Sequence, residues 1–171
     1  MVRERAMPRP TDEHEARAGP PAKDAPRHGQ YAIYKPLRSG KGGVLRFELN
    51  PEAPAVFVEG AHQQDAEMKK FAWAQKIVMK WGLSDVGEAL SAVERRQPVA
   101  KLFHQTEKGS TAFELKYQPD REPANYFATL SRQRAETKEV DRLGISVSPG
   151  EASVLAALLR RAVVVLSGWD R

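Results

Sequence analysis

Between Lys69 and Leu90 the hydrophobic period of the chain changes, and that change limits the fold more than any other feature of the sequence. In KKFAWAQKIVMKWGLSDVGEAL, residues Phe71, Trp73, Gln75, Ile77, Met79 and Trp81 alternate with Ala72, Ala74, Lys76, Val78 and Lys80. A period of two puts the sets on opposite sides of an extended strand. Ser84 or Asp85, ahead of Val86 and Glu88, then supplies a helix start, so a strand over about 69–81 feeds directly into a helix over about 85–93. Alternating aromatics on a strand usually face the core, which makes Phe71, Trp73, Ile77, Met79 and Trp81 chiefly core. Lys76 and Lys80 then occupy the opposite face, and with Lys69 and Lys70 they meet no acid before Asp85.

Strands dominate on either side of this stretch. Tyr31–Lys35 and Val44–Leu49 alternate around a Gly-rich turn, Arg38-Ser-Gly-Lys-Gly-Gly43, and form a hairpin with a basic loop. The loop matches neither GxxxxGK[ST] nor GxGxxG and lies between strands, whereas a phosphate cradle of that kind must open a helix. Ala55–Val58 resumes the strand pattern before a polar loop over 59–68. After the central helix come Val99–Phe103, a turn at Glu107–Ser110, Thr111–Gln118, a turn at Pro119–Pro123, Asn125–Arg134 and Leu143–Val147. In Asn125–Arg134, residues Tyr126, Ala128, Leu130, Arg132 and Arg134 share a side.

The last element carries the clearest start signal. Ser148-Pro-Gly-Glu151 is a capping box with proline at the first helical position, and Gly168 supplies the stop. Leu155, Leu158, Leu159, Ala162, Val165 and Leu166, widened by Val154, Val163 and Val164, cover more circumference than one sheet face can bury. Such a helix is expected to be buried twice, on its own sheet and against another subunit. Two successive groups of strands each ending in a helix give a quasi-duplicated α+β layout of antiparallel sheets, although no residue-level repeat is visible.

Composition narrows the chemistry. With 171 residues and 41% apolar content the chain suits one domain with a real core. Residues 1–30 hold five of the twelve prolines and little that is large and apolar, which reads as a disordered tail ahead of a domain over 31–171. The basic excess belongs to the domain, where 21 Lys/Arg face 17 Asp/Glu. The absence of cysteine removes disulfides, thiolate metal sites and cysteine nucleophiles. His14, His28, His62 and His104 show no metal-ligand spacing, and no convergent set of titratable groups suggests an enzyme or a cofactor. Neither a membrane span nor a secretory apolar region is present in the sequence.

Taken in order, YAIYK at 31–35, GGVLRFEL at 42–49, KKFAWAQKIVMKWGLSDVGEAL, LFHQ at 102–105 and SGWDR at 167–171 resemble the Whirly-like single-stranded nucleic-acid-binding superfamily. That superfamily includes the plant Whirly transcription regulators and the kinetoplastid mitochondrial guide-RNA-binding proteins. Where the plant proteins carry a Lys-Gly-Lys-Ala-Ala-Leu run, this chain has KPLRSGKGGVL, which favours the guide-RNA-binding branch, with the plant branch as the alternative. The resemblance implies two antiparallel sheets packed roughly perpendicular in a (ββββα)2 arrangement, assembled through the helices as a heterotetramer with a related chain or a homotetramer. It implies single-stranded RNA as partner, guide RNA and mRNA, with single-stranded DNA in the alternative branch. It also implies mitochondrial location, with the transit peptide expected to be absent from this chain.

On these grounds the expected nucleic-acid-binding residues are Lys35, Arg38, Lys41, Arg46, Lys69, Lys70, Lys76, Lys80, Lys116, Arg132 and Arg134. Arg46, Lys76, Lys80, Lys116 and Arg132 are expected to share one sheet face, where they attract phosphates, and Tyr34, Trp73 or Tyr117 offer rings to unpaired bases at its rim. An oligomeric scaffold that binds no nucleic acid would need the terminal helix without the basic face.

Overall fold

A computed structural model describes residues 29–170 apart from Ala66 and Met68. The expected tail therefore lies outside the described residues except for Gly29 and Gln30, and Gln30 already begins the first strand. Strands β1 (Gln30–Lys35), β2 (Gly43–Asn50), β3 (Ala55–Asp65), β4 (Lys70–Phe71) and β5 (Ile77–Trp81) precede helix α1 (Leu83–Val93). Strands β6 (Val99–Thr106), β7 (Gly109–Tyr117), β8 (Tyr126–Arg134) and β9 (Val140–Val147) precede helix α2 (Pro149–Ser167). All pairings are antiparallel. The first sheet runs β1-β2-β3, with β4 and β5 both on β3, and the second runs β6-β7-β8-β9.

The expected continuous strand over 69–81 is corrected by this pairing. A 3₁₀ turn at Trp73–Gln75 separates β4 from β5, and β3 shifts register between Gln63 and Asp65. Ile77, Met79 and Trp81 are buried and Val78 and Lys80 exposed, so the alternation holds only in β5. Phe71 and Trp73 are half-buried rather than core. The polar loop expected over 59–68 is also corrected, since β3 continues through Asp65. Its polar side chains are satisfied from elsewhere in the sheet: Gln63 Oε1 accepts from the Leu37 and Gly42 amides at 2.8 and 3.0 Å. That pins the β1–β2 loop to the central strand. The last strand begins at Val140 instead of Leu143.

Ladder register assigns the faces. Ile33, Leu45, Gly60 and Ile77 line up across the first sheet, followed by Phe47, Val58 and Met79. In the second, Leu102, Phe113, Leu130 and Leu143 line up. These inner faces meet closely: a Cβ on Gly43 would stand 2.3 Å from Leu143 Cδ1, and one on Gly60 2.8 Å from its Cδ2. Trp81 bridges the layers edge-on, 5.9 Å from Phe47 and 4.8 Å from Phe113. Residues of both sheets and both helices form one hydrophobic cluster.

Both helix starts satisfy their own amides. Ser148 Oγ accepts from Glu151 N and Glu151 Oε2 from Ser148 N, and the helix ends on left-handed Gly168 as the sequence indicates. α1 starts slightly earlier than expected, with Asp85 Oδ2 accepting from the Gly82 amide at 3.0 Å. α2 packs on α1, and Leu155, Ala156, Leu159 and Ala162 are among its buried residues. Val154 and Leu158 remain 45% and 44% exposed on its far side.

Candidate nucleic-acid interface

The five cations expected on one face are divided by the structure. Register sets Arg46, Glu59 and Val78 side by side on the outer face of the first sheet, with Glu48, Phe57 and Lys80 in the next row. Lys76 joins them through its side chain. Lys116 lies on the outer face of the second sheet, because its neighbours Phe113 and Leu115 turn inward. Arg132 follows Ala128 and Leu130 on the inner side: its Nη1 donates to the Lys76 carbonyl at 3.3 Å and its Nη2 lies 3.6 Å from Asp141. Asp141 also meets His62 Nε2 at 2.7 Å, so Arg132 belongs to a polar junction between the sheets.

The other expected residues scatter around these faces. Lys35 Nζ donates to Glu151 Oε1 at 2.7 Å and ties β1 to the start of α2. Arg38 and Lys41 are exposed on the anchored β1–β2 loop, Lys69 and Lys70 are exposed at β4, and Arg134 is exposed at the far end of β8. Among the possible base-stacking rings, Tyr34 is 52% exposed and edge-on to Phe71. Trp73 lies under the Arg46 guanidinium at 4.4 Å, and Tyr117 lies under that of Arg95 at 5.6 Å.

Glu59 governs the electrostatics of the first sheet. The residue is only 8% exposed, and its carboxylate accepts from Arg46 Nε at 2.8 Å, from Arg46 Nη2, and from Lys76 Nζ at 2.6 Å. Burial pushes its pKa up, but the hydrogen bonds and charges of Lys76 and Arg46 outweigh this and hold it below the ordinary value. Two of the three outer-face cations are thus shared with one carboxylate, and the third, Lys80, has no ion-pair partner among the described residues.

The second sheet carries the less neutralised face. Alternation directs Lys101 and Phe103 of β6, Glu114 and Lys116 of β7, Phe127 and Ser131 of β8, and Arg142 of β9 outward. Lys101, Lys116 and Arg142 make no ion pair among the described residues, and Glu114 is the one acid among them, opposite Lys101. Phe103 is 64% exposed, and the Phe127 ring carries Arg121 at 5.0 Å. A shallow depression of about 340 Å³ lies between Lys101, Phe103, Ser131 and Arg142. The sequence signal for Lys101 and Phe103 was their alternation with Ala100 and Leu102. Arg142 carries no such signal, because the apolar alternation of its strand starts only at Leu143.

Unpaired cations beside exposed rings can hold phosphates and stack bases at once. Among the described residues, no three His, Cys, Asp or Glu side chains converge to hold a metal ion, and no helix is long and apolar enough to cross a membrane.

The sequence matches no protein-family model and no curated protein. In three dimensions the chain is similar to WHY3 from Arabidopsis thaliana, with 18% identity, a TM-score of 0.66, and 85% of this chain and 93% of that one covered. It is similar to the plant transcriptional regulator PBF-2, at 21% identity and TM-score 0.65, over 82% and 83% of the two chains. It is also similar to a guide-RNA-binding protein complex solved with a gRNA, at 14% identity and TM-score 0.62, over 83% and 94%. The fold is Whirly-like: two antiparallel sheets and two helices in an α+β arrangement.

Proposed function

Starting from the Whirly-like fold and its two outward sheet faces, we propose that this protein binds single-stranded RNA without sequence preference and anneals complementary strands, guide RNA to mRNA, in mitochondrial RNA editing or processing. The observation that carries the reading is the second sheet's outer face, where Lys101, Lys116 and Arg142 stand unpaired beside Phe103 and Phe127. Regular cations on a rigid sheet engage a phosphate backbone and release its counterions, a mode that ignores sequence and weakens steeply with salt. The rings take bases by stacking, which every base tolerates. Arg46, Lys76 and Lys80 extend the same chemistry to the first sheet, with Arg38 and Lys41 at its loop and Lys69 and Lys70 at β4.

Annealing follows from binding by the backbone. A strand held through its phosphates keeps pairing edges free, while the protein's charge reduces repulsion from the incoming strand. The similarity to a complex bound to a gRNA supports RNA as the partner class. The exposed Val154 and Leu158 on α2 support assembly through the helices, as a tetramer of this chain or with a related one. No group on either face is arranged for bond chemistry, and binding alone is the activity proposed.

The test mixes two complementary RNAs at nanomolar concentration with and without the protein and follows duplex formation by fluorescence transfer. The expected result is faster annealing that disappears at high salt. Tight binding without any acceleration would reject the annealing role, and absence of binding at low salt would reject the whole reading.

A further inference from the structure

A further cleft of the described chain is on neither sheet face. It measures about 630 Å³ and lies between the end of α1, the ends of β7 and β8, and the first turns of α2. That volume is in the range of small-molecule sites. Arg95, Arg96 and Arg160 line it together with Tyr117, Asn125 and Ser153.

Glu94 fixes two of the arginines. Its carboxylate oxygens meet Arg96 Nε at 2.9 Å and Arg160 Nε at 2.6 Å. Both bonds use the inner nitrogen, so the terminal amino groups of the two guanidinium forks keep their donors for a further anion. Arg95 has no carboxylate partner among the described residues and lies over the Tyr117 ring. Its backbone is left-handed, at φ 60°, just past the end of α1, where glycine is the residue of least strain. Three cations against one carboxylate leave a net positive charge of two, the complement of a phosphate monoester, whereas an internal phosphodiester carries only one negative charge. Asn125 lines the same cleft, and its Oδ1 has no hydrogen-bond partner among the described residues, an acceptor that calls for a donor. A sugar hydroxyl or a base amino group supplies one.

We propose that this cleft binds a nucleoside monophosphate group, free or as the 5′-phosphorylated end of a strand, with its phosphate on Arg95, Arg96 and Arg160 and its nucleoside against Asn125. The site is independent of the sheet faces. It also stays open on assembly through α2: at 100° per residue, Ala152, Ser153, Ala156 and Arg160 are roughly opposite Val154, Leu158 and Val165 on the helix.

Titration calorimetry of the full chain with AMP, and separately with inorganic phosphate, tests the proposal against the Arg95→Gly variant. The wild type should bind AMP saturably and more tightly than phosphate. Arg95→Gly should weaken AMP at least about tenfold, the loss of a charged hydrogen bond, while raising the thermal midpoint by roughly 2–4 °C through relief of the left-handed strain. A rise in midpoint with unchanged AMP affinity would overturn the proposal, as would phosphate binding as tightly as AMP or no AMP binding at all. Two RNAs of one sequence, with a 5′-phosphate or a 5′-hydroxyl, separate the sources. Tighter binding of the phosphorylated strand, lost in Arg95→Gly, assigns the site to strand ends; equal affinities beside AMP binding assign it to the free nucleotide. Salt-dependent binding of the hydroxyl strand reads the sheet faces alone, so the two readings can fail separately.

Discussion

Removing an acid from the first sheet should strengthen RNA binding while weakening the fold, and Glu59→Gln is the substitution that separates the two effects. Glu59 holds both Arg46 and Lys76, so the neutral amide releases two outer-face cations and removes one of the two carboxylates, Glu59 and Glu48, in that part of the face. On single strands each phosphate contact contributes about 0.7 to the slope of log K against log salt, and two new contacts steepen it by about 1.4. Between 50 and 200 mM salt the variant's affinity should then fall by about sevenfold more than that of the wild type. The stability effect has the opposite sign. Charged hydrogen bonds are lost, but the Arg46 and Lys76 side chains are 22% and 35% exposed and can rehydrate. The net cost should be about 1–3 kcal/mol, less than for a fully buried pair. Fluorescence anisotropy with a labelled mixed-sequence RNA across a salt series reads the first effect, and urea unfolding reads the second. A folded variant whose affinity and salt slope match the wild type would refute the idea that this face contacts the phosphate backbone.

Three further outcomes follow from the same geometry. Trp81→Ala should cost about 3–5 kcal/mol in urea unfolding, because the ring is fully buried between Phe47 and Phe113 and its loss leaves a cavity where the two sheets meet. If the chain assembles through α2 as proposed, Leu158→Glu should lower the molecular mass measured by light scattering with little change in circular dichroism; an unchanged mass would contradict assembly through this face. Acid should destabilise the fold through Glu59 and Glu151. In Glu151 too, burial raises the pKa but the bonds from Lys35 and Ser148 prevail and lower it. A carboxyl depressed in the folded state contributes its full stability above the unfolded value, near 4.5, and loses it as the pH falls through the lower folded value. The combined Glu59→Gln and Glu151→Gln variant should therefore show a flatter stability profile below about pH 4.5 than the wild type.

Local chemistry was readable from the sequence, and chemistry completed by distant residues was not. The α2 cap is visible because Ser148 and Glu151 satisfy each other within one turn, and the β6–β7 hairpin because its alternation and turn are contiguous. The second half of β3 looked like a loop because Glu59 and Gln63 are polar. They are buried there through partners 13 to 26 positions away: Arg46, Lys76 and the Leu37 and Gly42 amides. The break between β4 and β5 was hidden for a related reason. Phe71, Trp73 and Gln75 continue the alternation through the 3₁₀ turn, and only the pairing of both strands with β3 exposes it. Face assignment failed at Arg132, whose step with Leu130 already puts it on the inner side, beside Asp141 and the Lys76 carbonyl, and not on the outer face with Lys116. The cleft around Arg95 was invisible because it joins the end of α1 to α2 more than fifty residues later.

In the proposed function, outer-face cations on a Whirly-like sheet hold RNA by its backbone. The most direct measurement is the salt slope of mixed-sequence RNA binding by the triple variant Lys101→Gln, Lys116→Gln, Arg142→Gln, beside the wild type. These side chains are exposed and unpaired, so the fold should be unaffected. Losing three phosphate contacts should make the slope shallower by about 2 and lower the affinity at low salt. An unchanged slope and affinity in the folded variant would mean that these cations do not hold the RNA backbone.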